Sequence, residues 1–160
     1  MRFLIAILLL SGGAYLYLYF NPSYKLSMEA KIYYSMGEYR IALELANQAL
    51  ELRSYNTMAF HIKTRSEEAL KIINYIEEAD KYQQEIIEIL KERPISKENK
   101  YRIKMMSDIV IGNYEALSMT FVEDEKLKEE ALKRYQKFQK LNRNIVESIE
   151  KEENRLSSDY

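Results

Sequence analysis

From Phe3 to Phe20 the chain reads FLIAILLLSGGAYLYLYF without a single charge; after Pro22, apolar residues recur every three or four positions among dense Lys and Glu. The first pattern predicts a membrane-spanning helix within residues 1–22. Its eighteen uncharged residues, at about 1.5 Å each, reach roughly 27 Å, close to the thickness of a hydrocarbon core of about 30 Å. The second pattern predicts an all-α domain, since no stretch alternates apolar and polar residues long enough to argue for a sheet.

Within that domain, Leu26, Ala30, Tyr33 and Tyr34 mark the inner face of a helix over about residues 23–36. Gly37 suits its C-cap, because glycine takes the left-handed conformation without steric cost. Tyr39, Ala42, Leu43, Ala46, Ala49 and Leu50 place a second helix over about residues 38–53, and its alanines predict close antiparallel packing in a hairpin spanning 23–56. Ala69, Ile72, Ile73, Ile76, Ala79, Ile86, Ile87 and Leu90 mark one long helix from Asn56 to about Lys91, in a segment 57–93. It breaks at Glu92-Arg93-Pro94, where the residue before proline is pushed out of the helical region. In the C-terminal region 94–160, Ser96 is placed to cap a helix reaching about Ile111. Gly112-Asn113-Tyr114-Glu115-Ala116-Leu117 then reads as a hairpin turn.

A last helix covers about residues 123–157. Ala131, Tyr135, Phe138, Asn142, Ile145, Ile149, Glu152 and Leu156 step alternately by four and three, the spacing of a coiled-coil seam. Phe138, Asn142, Ile145 and Ile149 are the candidate oligomer seam, with Asn142 setting the register. The same row also suits an amphipathic helix packed on its own domain, and both readings stand.

The amino end also carries signal-peptide features: Arg2, an apolar block, then Ser11-Gly12-Gly13-Ala14 as small residues for cleavage near Gly13-Ala14. Against cleavage, the apolar run continues through Phe20, and Tyr15, Tyr17, Tyr19 and Tyr24 match an interfacial aromatic belt. An uncleaved signal-anchor is the expectation, and secretion after cleavage is the alternative. The short tail with Arg2 favours an amino end inside and an extracytoplasmic domain, periplasmic in a Gram-negative cell, although Lys25, Lys31 and Arg40 weaken the asymmetry.

Composition narrows the function classes. Lys and Arg number 24 against 25 Asp and Glu, interleaved along the helices, so the clustered basic face of a nucleic-acid binder is missing. With no Cys there are no thiolate metal ligands or disulfides, and the lone His61 on a helix reads as a surface residue. No nucleophile elbow or phosphate-binding glycine loop occurs. The acids Glu123-Asp124-Glu125 read as a helix start. The expectation is a non-enzymatic protein with no cofactor, no metal and no small-molecule substrate. Of the 14 Tyr, Tyr75, Tyr82, Tyr101, Tyr114 and Tyr135 either line a peptide-binding surface or fill half-buried helix positions.

Residues 23–56 span 34 positions and resemble one tetratricopeptide repeat. Leu26 stands in the Trp place, Ala30 in the first small position and Tyr33 in the Tyr place. The turn Gly37-Glu38-Tyr39 is followed by Ala42, with Ala46 in the aromatic place and Ala49 as the later small residue. Glu29 and Ser54 depart from the usual Leu and Pro, and from Lys63 onward the pattern is lost. The resemblance implies a membrane-anchored scaffold or adaptor that holds a protein or peptide partner, with Lys31, Tyr34 and Glu38 as partner-binding residues. The rival reading is a structural envelope protein that binds itself through the terminal coiled coil and has no peptide groove.

Overall fold

The computed structural model describes residue 12, residues 21–117 and residues 122–158, with side chains as far as residue 155. The expected membrane helix over residues 3–20 and the cleavage site near residues 13–14 lie, apart from Gly12, outside the described residues. Among the described residues the fold is all-α, without strands, and no helix is long and apolar enough to cross a membrane. The chain divides into two compact units, Met1–Leu70 and Lys71–Tyr160.

The first unit holds α1 (Pro22–Ser35), α2 (Tyr39–Leu52) and the opening turns of α3 (Thr57–Lys91). Asn21 is extended and caps α1 by accepting from the Ser23 amide at 3.2 Å, while Pro22 occupies the first turn, where its missing N–H costs nothing. At the other end Gly37 has φ 82°. The Glu38 amide donates to the Tyr33 carbonyl at 2.9 Å and the Gly37 amide to that of Tyr34 at 3.0 Å. This double closure at a left-handed glycine is a Schellman motif, and it turns the chain into α2. The two helices meet through Ala30, Ala42 and Ala46, joined by Ile62 of α3 and flanked by Tyr33, Tyr34, Leu45 and Met58. Alanine keeps the axes close, and the larger side chains fill the rim.

The inner face of α1 differs from the expected one in a telling way. Its buried residues are Ser23, Ser27 and Ala30, while Leu26, Tyr33 and Tyr34 are only half-buried. Two buried hydroxyls need partners, and Asn56 supplies them. Its side-chain nitrogen donates to Ser27 Oγ at 2.7 Å and Ser23 Oγ at 2.8 Å, with the Ser23 carbonyl at 3.2 Å. Ser23 Oγ in turn donates to the Ala49 carbonyl at 2.8 Å, and Ser27 Oγ to the Ser23 carbonyl at 2.8 Å. Asn56 Oδ1 accepts from the Ala59 amide at 3.2 Å and so caps α3. One side chain thereby ties α1, the end of α2 and the start of α3 together.

The second unit holds the remainder of α3 from Lys71, α4 (Lys97–Glu115) and α5 (Glu125–Ser158). α3 buries Ile72, Tyr75, Ala79, Ile86 and Ile89; α4 buries Ile103, Met106 and Val110; α5 buries Ala131, Phe138, Ile145 and Ile149. The break after Lys91 includes a cis Arg93–Pro94 peptide. Ser96 accepts from the Asn99 amide at 3.2 Å and Asp124 from the Leu127 amide at 3.1 Å, so the serine and the acidic run act as the expected helix starts. The hairpin turn expected at Gly112–Leu117 is corrected: α4 continues through Gly112 to Glu115 and stops at Ala116. A single helical glycine is tolerated at a cost of about 1 kcal/mol, and Asn113 anchors that turn by donating to Glu78 at 2.8 Å.

Two substitutions test this packing. Asn56→Ala removes a cap and the donor that both buried hydroxyls accept from, so urea unfolding should show a loss of about 2–4 kcal/mol. Ile145→Asp places a carboxylate at a buried site and should cost about 3–5 kcal/mol in the same assay. A loss below about 1 kcal/mol in either variant would contradict the assigned packing.

Candidate partner-binding surface

The three residues expected to bind a partner sit around the α1–α2 turn. Lys31 is exposed on α1, and Tyr34, one turn on, is half-buried. Its ring meets that of Tyr39 edge-on, with centroids 5.2 Å apart. Tyr34 is therefore anchored by packing, and Tyr39 is buried beside it. Glu38 is exposed and precedes α2 as its N-cap, without a side-chain capping bond. Lys31 and Glu38 thus present opposite charges to solvent, before and after the α1–α2 turn. His61 is exposed on α3.

The tyrosines of the second unit form a ladder. Tyr75 of α3 lies 5.6 Å from Tyr114 of α4, which stacks on Tyr135 of α5 at 4.3 Å and 20°. Tyr135 donates to Glu115 at 3.2 Å and accepts from Gln139 at 2.6 Å. Tyr75 is buried, Tyr82, Tyr114 and Tyr135 are half-buried, and Tyr101 is exposed, donating to Glu153 at 2.9 Å. Burial raises the Tyr75 phenol well above its ordinary value, with Tyr114 adding to the effect. Burial also raises Tyr135, reinforced by its bond to Glu115. This ladder fills the joint between three helices, so three of the five tyrosines considered for a peptide surface are occupied in packing, and Tyr82 is half-buried outside the ladder.

Beside the ladder, Arg134 closes a fork on Asp80, Nε to Oδ1 at 3.0 Å and an Nη to Oδ2 at 2.9 Å. It also bonds the Glu130 carboxylate one turn back on α5. The hydrogen bond that Arg134 donates to Asp80 holds the guanidinium proton more tightly than usual, and the bond from Arg134, with Lys133, lowers the Glu130 carboxyl. Glu85 pairs with Arg102, and Lys100 with Glu152 at 2.6 Å, which lowers the Glu152 carboxyl.

The row Phe138, Ile145 and Ile149 is buried within one copy of the chain, and half-buried Asn142 donates to Asp108 of α4. Neither the serine–asparagine node nor the Arg134 fork was among the residues singled out from sequence. Ser23 and Ser27 do fall four apart on the Ala30 face, a readable signal of inward hydroxyls. Asp80 and Arg134 lie on helices far apart in sequence, and nothing local pairs them. An open polar depression of about 530 Å³ lies along α5 near Lys100, Asn144, Ser148 and Lys151. Among the described residues no group of acids and histidine could hold a metal ion. No family model, curated protein or solved structure matches this chain.

The titration directions fix the pH behaviour of the second unit. Glu130 and Glu152 have lowered values when folded, so their contribution is present above the ordinary carboxylate value of about 4.3 and is lost as pH falls through the lowered one. Thermal melts should therefore drop on acidification, and the double substitution Glu130→Gln, Glu152→Gln should flatten that slope. For Tyr75 the raised value means its contribution persists below about 10 and is lost as pH climbs beyond it. Phenolate absorbance should show a late-ionising component that Tyr75→Phe removes; an unchanged titration curve would contradict the buried ladder.

Proposed function

We propose that this protein is a non-enzymatic scaffold that holds a protein or peptide partner at a membrane surface through its first helical hairpin. The reading rests on the hairpin. The positions that stand in the small-residue places of the tetratricopeptide pattern, Ala30, Ala42 and Ala49, are all fully buried, and Gly37 makes the turn that the pattern requires. A framework built this way holds the exposed Lys31 and Glu38, with Tyr34 packed on the core, around the turn that joins the two helices. Rigid presentation of a few side chains is what a peptide-binding module needs, because little ordering cost is left for binding. The membrane anchor is residues 3–20, whose length and lack of charge suit a single span. Self-assembly through α5 is the weaker reading, because its apolar row is already covered by the chain's own helices.

Crosslinking of the full-length protein in its native membranes tests the proposal. A discrete heterologous adduct should form with the wild type. It should weaken at least tenfold with Lys31→Glu and Glu38→Lys combined, a loss of about 1.4 kcal/mol or more in binding, while the unfolding midpoint stays nearly unchanged because both side chains are exposed. A ladder of self-adducts insensitive to these substitutions would favour assembly and defeat the adaptor reading.

A further inference from the structure

One face of α1 is apolar without serving the core of its own unit. Met28, Ile32 and Met36 are 55%, 57% and 67% exposed. A shift of 34 residues carries Met28, Ile32 and Ser35 onto Ile62, Ser66 and Ala69 of α3. At those later positions the same face is covered: Ile62 is 6% exposed, and Ser66 and Ala69 are fully buried. The face that α3 turns inward is therefore the face that α1 leaves open, and its exposed Met-Ile-Met row is unexplained by internal packing.

The position of α1 in the chain supplies an occupant. The uncharged run ends at Phe20, and α1 begins at Pro22. Asn21 between them is extended, with φ −86° and ψ 109°, and caps α1 with its side chain. An extended cap followed by proline opens a helix at its first turn, so α1 begins as an element of its own two residues after the uncharged run ends. At about 100° per residue, the exposed arc of α1 carries Met28, Ile32 and Met36 with Lys25 and Ser35 among them, half-buried Tyr24 beside Ser35 and Lys31 at the far edge. Exposed apolar side chains with a lysine among them and a tyrosine beside them suit a helix lying in a headgroup layer. The Lys25 stem lies along that surface and its ammonium group reaches lipid phosphate. A second copy fits less well, because three side chains of a 14-residue helix fall well short of the roughly 800 Å² per partner that a stable dimer buries.

We propose that α1 is an interfacial helix that lies on the lipid surface at the foot of the membrane anchor, with Met28, Ile32 and Met36 sunk into the headgroup–acyl boundary. This rests on the anchor reading of residues 3–20. It also gives the scaffold a fixed stance, with the α1–α2 turn held beside the bilayer.

The chain contains no Cys, so single cysteines report cleanly. Full-length Met28→Cys, Ile32→Cys and Met36→Cys would be spin-labelled in vesicles of zwitterionic phospholipid with a minority of anionic lipid. Leu9→Cys reports the anchor, and Glu44→Cys on the exposed side of α2 reports water. Labels at 28, 32 and 36 should be several-fold more accessible to oxygen and several-fold less accessible to a nickel chelate than the label at 44. If the label at 9 is lipidic but those at 28, 32 and 36 match 44, the interfacial helix is overturned and the anchor stands. If the label at 9 is itself aqueous, the anchor reading fails and takes this inference with it. Labels at 28, 32 and 36 shielded from both reagents, with spin–spin broadening lost on dilution by unlabelled chain, would identify a second copy and overturn the lipid assignment.

Discussion

The carboxamide of Asn56 sits where three chain segments converge, and the geometry of the first unit depends on it. A hairpin of two 14-residue helices whose shared face is alanine and serine buries little apolar area, so its cohesion cannot come from bulk hydrophobic burial alone. Asn56 compensates by engaging Ser23 and Ser27 on α1 and capping α3, while Ser23 reaches the last turn of α2 through Ala49. Each hydroxyl both donates and accepts, so the buried polar groups in this node are satisfied. The exchange is asymmetric. A complete node contributes modestly, but a missing member leaves desolvated groups without partners. The serines also keep α1 narrow, which lets the Ala30, Ala42 and Ala46 contact close.

The second unit solves the same problem differently. Its long helices carry enough Ile, Met and Phe for an ordinary apolar core, and polar groups gather at the edges as charged forks. The Tyr75–Tyr114–Tyr135 ladder joins one residue from each helix, which fixes their rotation about their own axes in a way that interchangeable aliphatic side chains do not.

Helix positions were legible because the signals are local. Three- and four-residue apolar spacing, Gly37, Ser96, Asp124 and the Arg93–Pro94 break each act within a turn or two of themselves. Gly112 shows the limit of that logic: the same residue type that ends α1 is carried through α4, because the surrounding turns supply enough helical bonds to override one weak position. Leu26 shows another limit. Hydropathy ranked it inside ahead of Ser23 and Ser27, yet hydroxyls with partners pack better at a close helix contact than a branched chain does. Pairings such as Asp80 with Arg134 are set by how the helices meet, which no local pattern encodes. Of the residues expected to bind a partner, their placement around the turn followed from the Gly37 signal, while the anchoring of Tyr34 by Tyr39 needed the structure.

The central claim is that Asn56 and the α1 serines act as one cooperative unit and not as independent polar contacts. A double-mutant cycle on Ser27→Ala and Asn56→Ala, read by equilibrium unfolding, tests it most directly. The account predicts a coupling energy of about 1–3 kcal/mol between the two sites, since losing either member already breaks the buried Asn56–Ser27 bond that both share. Strictly additive effects, with coupling below about 0.5 kcal/mol, would show that the node does not hold the hairpin and would contradict the account.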